Sequence, residues 1–184
     1  MKIFVLAGCA RCGKDVFGKY MKEKFDSKGF NSCILRFTTP LYEYAENYFS
    51  WNGNLREKPR EFLQEMGIEV IQKKLGKETF LIDRLCEDIE ILKNFFDIFI
   101  ITDGRLIREF EELKKIYPDT KIIHIIRENY DSGLSEKQKQ HITELEMDNY
   151  DKYDYVVYNK SLEKLYLDAD KIIDDNMEDV IWKS

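Results

Sequence analysis

Proline, cysteine and histidine are scarce in this chain, and long hydrophobic runs are missing. Its 184 residues include 3 prolines, 4 cysteines and 2 histidines. No apolar run approaches the roughly 20 residues that a membrane-spanning helix needs. The chain passes directly from its N-terminus into an apolar run at residues 2–7, without the pattern of a signal peptide. We therefore expect a cytoplasmic protein with no membrane association.

Positive charge is not in excess either. The chain carries 29 lysines and arginines against 35 aspartates and glutamates, a net charge of −6 at pH 7. This balance argues against an extended surface for a nucleic acid polymer, while a local basic pocket for a nucleotide stays compatible with it. The hydrophobic fraction of 43% is ordinary for a globular protein. The length predicts a single domain over residues 1–184.

The four cysteines do not form a zinc-binding pattern. Cys9 and Cys12 make one C-x-x-C, while Cys33 and Cys86 stand alone. A structural zinc site would need a second close pair of cysteines or histidines. We interpret Cys9 and Cys12 as small loop residues in a reducing compartment, with redox control of the loop as the alternative.

The strongest motif is the segment at residues 8–15, which reads GCARCGKD and follows the apolar run at residues 2–7. It fits G-x-x-x-x-G-K, the phosphate-binding P-loop, with Asp15 in place of the usual serine or threonine. Apolar residues at helical spacing come next, so the loop lies between a predicted strand and a predicted helix. We predict that this loop binds ATP and that Lys14 reaches the β- and γ-phosphates. The predicted ATP-binding residues of this segment are Gly8, Arg11, Cys12, Gly13, Lys14, Asp15 and Val16.

Apolar runs alternate with amphipathic stretches along the rest of the chain. The predicted strands are residues 2–7, 33–37, 97–102, 121–126 and 154–158. The predicted helices are residues 14–28, 40–50, 58–74, 79–94, 105–117, 134–147 and 161–174. This alternation predicts a three-layer α/β fold, a five-stranded parallel sheet with helices on both faces. Active-site residues are expected at the C-terminal ends of its strands.

Two of these strands are followed by charged residues. Asp103 follows strand 97–102 and is predicted to bind Mg²⁺ or its waters, the alternative being a cap for the next helix. Arg127 follows strand 121–126 and precedes a polar segment. From this segment we predict a small lid over residues 128–147, which would exclude water and add positive charge. The alternative for its lysines is a solvated helix face.

A phosphorylated acceptor is suggested by the region at residues 38–75 and the strand before it. Arg36 lies in strand 33–37, and Arg60 and Gln64 are four residues apart on one helix face. Arginines that face one crevice would suit a second phosphate, because guanidinium binds phosphate through two hydrogen bonds.

Asp15 leaves two interpretations open. Its carboxylate could bind Mg²⁺ directly or through water, since Mg²⁺ prefers oxygen ligands. It could instead pair with Arg11 or Arg105 and hold that arginine in place. In either case a carboxylate in the first turn of a helix is stabilised by the helix dipole.

The order of these motifs resembles that of the phage-type deoxynucleoside monophosphate kinases. The resemblance covers roughly residues 2–173 and lies in motif order more than in overall identity. The matching segments are Gly13-Lys14-Asp15, Thr39-Pro40, residues 60–67, Asp103-Gly104-Arg105, residues 123–127, His141-Ile142-Thr143-Glu144 and the region from Asn159. The chain departs from the family pattern at Gly104, at Glu61 and in a short segment between residues 52 and 59.

This resemblance implies an ATP-dependent phosphotransferase that uses Mg²⁺ and converts a (deoxy)nucleoside monophosphate to the diphosphate. It implies catalytic roles for Lys14, Arg11, Arg105, Arg127 and Asp103, with Asp15 and Asp103 at the metal. Asn159 would lie on the adenine side, and the acceptor would meet Arg36, Thr39, Arg60, Gln64 and Arg105. The expected partners are small-molecule nucleotides, and the oligomeric state stays open, with a homodimer as one option.

Two alternatives remain. The animal-type phosphomevalonate kinases are similar at the Gly-Lys-Asp loop and at residues 148–151, so the acceptor could be another small phosphate monoester. A non-catalytic P-loop sensor that binds a nucleotide and signals to a protein is the alternative from a different class. It would hydrolyse nucleotide slowly and show an apolar patch for its partner.

Overall fold

The central sheet of the computed structural model has five parallel strands in the described residues, which are 1–54 and 57–177. The strands are β1 (Lys2–Ala7), β2 (Ser32–Leu35), β3 (Ile98–Gly104), β4 (Lys121–Ile126) and β5 (Tyr155–Tyr158). Their order in the sheet is β2-β3-β1-β4-β5, and every neighbouring pair is parallel. All C-terminal strand ends therefore lie at one edge, with β1 in the middle.

Helices connect the strands. They are α1 (Lys14–Ser27), α2 (Thr39–Tyr48), α3 (Arg60–Gln64), α4 (Phe80–Leu92), α5 (Ile107–Ile116), α6 (Glu136–Lys139), α7 (Ile142–Leu145) and α8 (Leu162–Met177). A π-helical stretch, Glu65–Lys74, continues α3, and a 3₁₀ turn, Glu146–Asn149, follows α7. Within the described ranges, none of these helices has the length and apolar character that crossing a bilayer would require.

Side chains of β1 alternate between two separate cores, as the two-residue period of a strand requires. Phe4 and Leu6 point into one apolar cluster, which α1 and α8 cover. Val5 and Ala7 point into the other, which α4 and α5 cover. The predicted three-layer fold with helices on both faces of a five-stranded parallel sheet is confirmed.

Most element boundaries differ from the predictions by a few residues, and two of the differences bear on the site. The strand predicted at 33–37 ends at Leu35, because the amides of Phe37 and Thr38 donate to the carboxylate of Asp103 and not to a neighbouring strand. The helix predicted at 58–74 begins at Arg60 and becomes π-helical from Glu65.

The helix predicted at 134–147 is interrupted in the structure. It consists of α6, α7 and the 3₁₀ turn, each short. Two side chains act as N-caps here, Ser135 at the start of α6 and His141 at the break between α6 and α7. Ser135 accepts from the amide of Gln138, and His141 accepts from the amide of Thr143.

Candidate active site

The loop between β1 and α1 adopts a backbone that depends on its glycines. Gly8 and Gly13 have φ angles of 147° and 116°, which favour glycine. A Cβ atom on Gly8 would lie 2.5 Å from the carbonyl oxygen of Ile125, and one on Gly13 would lie 2.6 Å from Nδ2 of Asn159. Asn159 also donates to the carbonyl of Cys12 over 2.8 Å. The loop is therefore packed tightly between β4 and the turn after β5, and it opens into the N-terminus of α1.

Lys14 lies inside this loop. Its Nζ donates to the carbonyl oxygens of Gly8 and Cys9 over 2.5 and 2.8 Å. The side chain is buried, and burial lowers the pKa of Lys14. The loop thus holds an ammonium group at the position where an anionic ligand would benefit from it most.

Glu144 connects the loop to the far side of the site. Its Oε2 accepts the amide of Ala10 over 2.9 Å, and its Oε1 pairs with Nη1 of Arg105. The same arginine nitrogen donates to the carbonyl of Thr143 over 3.3 Å. The Glu144 side chain is only 6% exposed. One buried carboxylate therefore fixes the loop and Arg105 at the same time.

The segment after β4 also packs on the loop. Tyr130 donates its hydroxyl to the carbonyl of Ala10 over 2.5 Å, and the guanidinium of Arg127 lies over the Tyr130 ring at 5.2 Å. Arg127 also approaches the carbonyl of Arg11 at 3.5 Å. Arg11 extends its guanidinium over Gly133, so closely that a Cβ there would collide with it. The first residues of the predicted lid are thus in direct contact with the loop.

Asp103 organises the opposite wall. Its Oδ1 accepts the amide of Phe37 over 2.9 Å, and its Oδ2 accepts the amide and hydroxyl of Thr38 over 3.0 and 2.6 Å. The alternative that Asp103 caps the next helix is wrong, since Glu109 takes that role by accepting the amides of Arg105 and Leu106. Asp103 instead positions the turn between β2 and α2.

The second interpretation of Asp15 is wrong in its partners, because the carboxylate pairs with neither Arg11 nor Arg105. Its Oδ1 lies 3.3 Å from Nη2 of Arg36, and its Oδ2 lies 3.8 Å from Nζ of Lys58. The carboxylate is 61% exposed. Asp15 therefore joins the start of α1 to the cations on the β2 side of the cleft.

A single cleft of about 900 Å³ contains these groups. Its cationic lining residues are Arg11, Lys14, Arg36, Lys58, Arg60, Arg105, Arg127 and Lys160. Its acidic lining residues are Asp15, Glu57, Asp103, Glu109 and Glu144. Burial raises the pKa of Glu109 to about 8, so this carboxyl group contributes little negative charge near neutral pH. The cleft is consequently basic in a protein whose net charge is −6.

Most of the predicted site residues line this cleft. Those that do are Arg11, Gly13, Lys14, Asp15, Val16, Arg36, Arg60, Gln64, Asp103, Arg105, Arg127 and Asn159. Gly8 and Cys12 support the loop from behind. Thr39 does not line the cleft, and its hydroxyl donates to the carbonyl of Arg36 over 3.0 Å. The neighbouring Thr38 lines the cleft in its place. The individual roles of all these residues remain predictions.

Several residues of the site were not assigned roles from the sequence, among them Glu144, Thr38 and Lys58. Glu144 belongs to the His-Ile-Thr-Glu segment, so its motif was visible although its two partners were not. Thr38 precedes the predicted Thr39 by one position. Lys58 lies just before Arg60, in a segment predicted to be helical. Its position gave no sign that it would face Asp15.

The oxygen atoms available here suit Mg²⁺. Asp15 and Asp103 present carboxylates to the cleft, and Thr102 adds a buried hydroxyl that has no hydrogen-bond partner among the described residues. No cluster of three or more acidic, cysteine or histidine side chains that could hold a metal occurs in residues 1–54 and 57–177. Mg²⁺ does not need one, because it usually takes one or two protein carboxylates together with water and phosphate oxygens.

Comparison with protein families gives one match. The model for deoxynucleotide monophosphate kinases matches residues 41–169, more than half of the chain. That match begins after the loop at residues 8–15, so the loop geometry is separate support for it. Comparison with curated protein sequences finds no match.

Solved structures of several kinases share the fold. The APS kinase of Mycobacterium tuberculosis in complex with AMPPNP and APS has a TM-score of 0.57 at 11% identity, over 94% of this chain and 95% of that one. The shikimate kinase of Aquifex aeolicus vf5 has a TM-score of 0.51 at 14% identity, over 96% and 99%. A gluconokinase of Sinorhizobium meliloti 1021 has a TM-score of 0.52 at 10% identity, over 98% of each chain. At these identities the likeness shows a P-loop kinase fold and leaves the acceptor open.

Proposed function

Because the chain belongs to the deoxynucleotide monophosphate kinase family, we propose that it transfers the γ-phosphoryl group of ATP to a (deoxy)nucleoside monophosphate. The observation that carries this proposal is the division of one basic cleft into two halves. Lys14 and the glycine loop form the first half, and Arg36, Lys58 and Arg60 form the second. A kinase needs both halves, since it must bring two anionic substrates together.

The loop half suits the triphosphate. Amides of the loop and of the α1 N-terminus provide donors and partial positive charge, and Lys14 provides a full charge. A second, smaller cavity of about 350 Å³ lies beside the loop, between the ends of β4 and β5. Arg127, Tyr130 and Asn159 line it, and it offers a place for the adenosine part of ATP. The APS kinase with a similar fold binds AMPPNP, which supports ATP as the donor.

The other half suits a phosphate monoester acceptor. Such an acceptor needs no strong general base, because its second pKa is near ~6 and its attacking oxygen is already ionised at neutral pH. The protein therefore has to position the acceptor and offset the repulsion between like charges. We assign this work to Arg36, Arg60 and Arg105, with Gln64 placed beside them by its 3.5 Å contact with Thr143.

Arg105 lies where the two halves meet. Glu144 and the carbonyl of Thr143 hold its guanidinium, so Arg105 enters the reaction already oriented. We assign to it and to Arg11 the stabilisation of the charge that develops on the transferring group. Asp15 and Asp103 are the residues that would hold Mg²⁺, which when bound neutralises charge on the β- and γ-phosphates.

The experiment is a screen for acceptor-stimulated release of ADP from ATP. The acceptors are the ribo- and deoxyribonucleoside monophosphates, with phosphomevalonate, shikimate and gluconate as other classes. Lys14→Ala should abolish the stimulated rate, and Lys19→Ala is its matched control, because Lys19 is on the same helix with a side chain that is 75% exposed.

Stimulation by one or more nucleoside monophosphates supports the proposal. Stimulation by phosphomevalonate alone would assign the chain to another acceptor class within the same fold. Binding of ATP without stimulation by any acceptor would favour the nucleotide sensor.

A further inference from the structure

Two cationic side chains face Asp15 on the acceptor side of the cleft, and a third lies near them in the chain. Arg36 lies 3.3 Å from one carboxylate oxygen, and Lys58 lies 3.8 Å from the other. Arg60 follows closely, because its amide donates to the carbonyl of Lys58 over 2.8 Å. Arg36, Lys58 and Arg60 all line the same cleft, so Lys58 shares it with a cation on either side of it in the chain.

Negative charge is short in this cluster. Asp15 is shared between Arg36 and Lys58, and Asp103 accepts three hydrogen bonds from the turn after β2. The half-buried guanidinium of Arg60 feels the charge of Glu144 but forms no ion pair or side-chain hydrogen bond in the part of the chain that the structure describes. Cations removed from water are normally paired, so a cluster with too few anions is prepared for an anionic ligand.

Lys58 is itself well placed for such a ligand. Its side chain is 26% exposed, less than the 61% of the Asp15 carboxylate that it faces. Burial is the largest influence on its pKa and lowers it. An ammonium group in that position gains from a closely bound anion, because burial has already removed part of its hydration.

We propose that Lys58 binds the phosphate of the acceptor together with Arg36 and Arg60, and that Asp15 occupies the position of this phosphate in the unliganded protein. This inference rests on the proposed function and adds to it a binding residue and a competing carboxylate. A monophosphate carries up to two negative charges and three terminal oxygens, so it satisfies three cations better than one carboxylate does. Asp15 is released toward the triphosphate side when the acceptor binds.

Two opposite changes in affinity follow. Loss of the Lys58 charge should weaken monophosphate binding, since one of three cations is gone. Loss of the Asp15 charge should strengthen it, because the phosphate no longer displaces a carboxylate. A purely structural role for these residues would not give effects of opposite sign.

The test is calorimetric titration of the full chain with dAMP, dCMP, dGMP and dTMP, and with the corresponding deoxynucleosides, with and without AMPPNP. Lys58→Gln should weaken binding of the preferred monophosphate at least ten-fold and leave deoxynucleoside and AMPPNP binding unchanged. Lys58→Arg should restore the affinity to within a few-fold, and Asp15→Asn should increase it. Lys73→Gln is the matched control, because Lys73 is 65% exposed and pairs with Glu69 on the surface.

The outcomes separate this inference from the proposed function. If Lys58→Gln binds the monophosphate as tightly as the wild type does, the role of Lys58 is overturned and the proposed function is not. That role would also be overturned if Lys58→Gln weakened deoxynucleosides and monophosphates equally, or if Lys58→Arg failed to restore binding while keeping the wild-type melting temperature. A wild-type protein that binds AMPPNP but none of the monophosphates would overturn both.

Discussion

Replacing Glu144 with glutamine should uncouple the glycine loop from Arg105. The carboxylate uses one oxygen for the amide of Ala10 and the other for Arg105. Glutamine keeps one acceptor oxygen, so its amide nitrogen must face one of two donors. A hydrogen bond to a charged group contributes about 1.5–3 kcal/mol, and breaking a buried pair outright costs about 3–5 kcal/mol.

The exposure of Glu144 and Arg105 places the expected loss of stability between that of one charged hydrogen bond and that of a fully buried ion pair. Glu144 is 6% exposed, but Arg105 is 20% exposed and keeps the carbonyl of Thr143 as a partner. We therefore expect Glu144→Gln to lower the free energy of unfolding by about 2–3 kcal/mol. For a chain of this length the melting temperature should fall by roughly 4–12 °C. If Arg105 stabilises the transition state, a loss of this size also reduces kcat by about 30- to 160-fold.

Urea and thermal unfolding measure the first effect, and ADP release at saturating substrates measures the second. Glu136→Gln is the matched control, because Glu136 belongs to the same predicted lid and is 81% exposed. A Glu144→Gln protein with the stability and kcat of the wild type would refute the idea that this carboxylate positions Arg105. Reduced stability with unchanged kcat would confine Glu144 to a structural role.

Two further predictions concern backbone strain and pH. Gly8→Ala should lower the free energy of unfolding by at least ~1–3 kcal/mol in a urea titration, because residue 8 has a φ of 147° and its Cβ would contact the Ile125 carbonyl. Gly29→Ala should lower it less, because Gly29 has a φ of 87° and no atom lies within 4 Å of its Cβ position. Equal losses would contradict the packing argument. Burial raises the pKa of Glu109 from an ordinary value of 4.5 to about 8, so between these values the folded state holds more protons than the unfolded state. The free energy of unfolding should therefore fall as the pH rises through that window, by up to about 1.4 kcal/mol per pH unit. In Glu109→Gln the urea midpoint should depend less on pH over pH 5–8. A midpoint that changes with pH as in the wild type would argue against a raised pKa of Glu109.

The layered fold and the loop could be predicted from the sequence because both depend on local patterns. Apolar runs such as residues 2–7 give buried parallel strands, and the glycine spacing at residues 8–15 determines a phosphate-binding turn. The same patterns gave the right number of strands and their direction. They also placed most of the site at the strand ends.

What could not be predicted depends on contacts between distant residues. The end of β2 is set by Asp103, which lies 66 positions after Phe37, so no local rule could find it. The partners of Asp15 are Arg36, just after β2, and Lys58, and those of Glu144 are Ala10 in the glycine loop and Arg105 after β3. The start of the lid helix is different, because Ser135 is a recognisable capping residue, whereas the break at His141 comes from a residue that is not a usual N-cap.

The central position of β1 has a consequence for how this protein could be altered. The glycine loop follows β1, and Arg127 and Asn159 of the proposed adenosine cavity follow β4 and β5, whereas Arg36, Lys58 and Arg60 follow β2, on the other side of the sheet. The residues proposed to determine donor and acceptor specificity therefore lie largely in separate segments of the sequence. A library confined to residues 36–75 would explore new acceptors while the ATP half keeps its sequence. Asp15 lies outside such a library and would keep its carboxylate, while its partners Arg36 and Lys58 would vary.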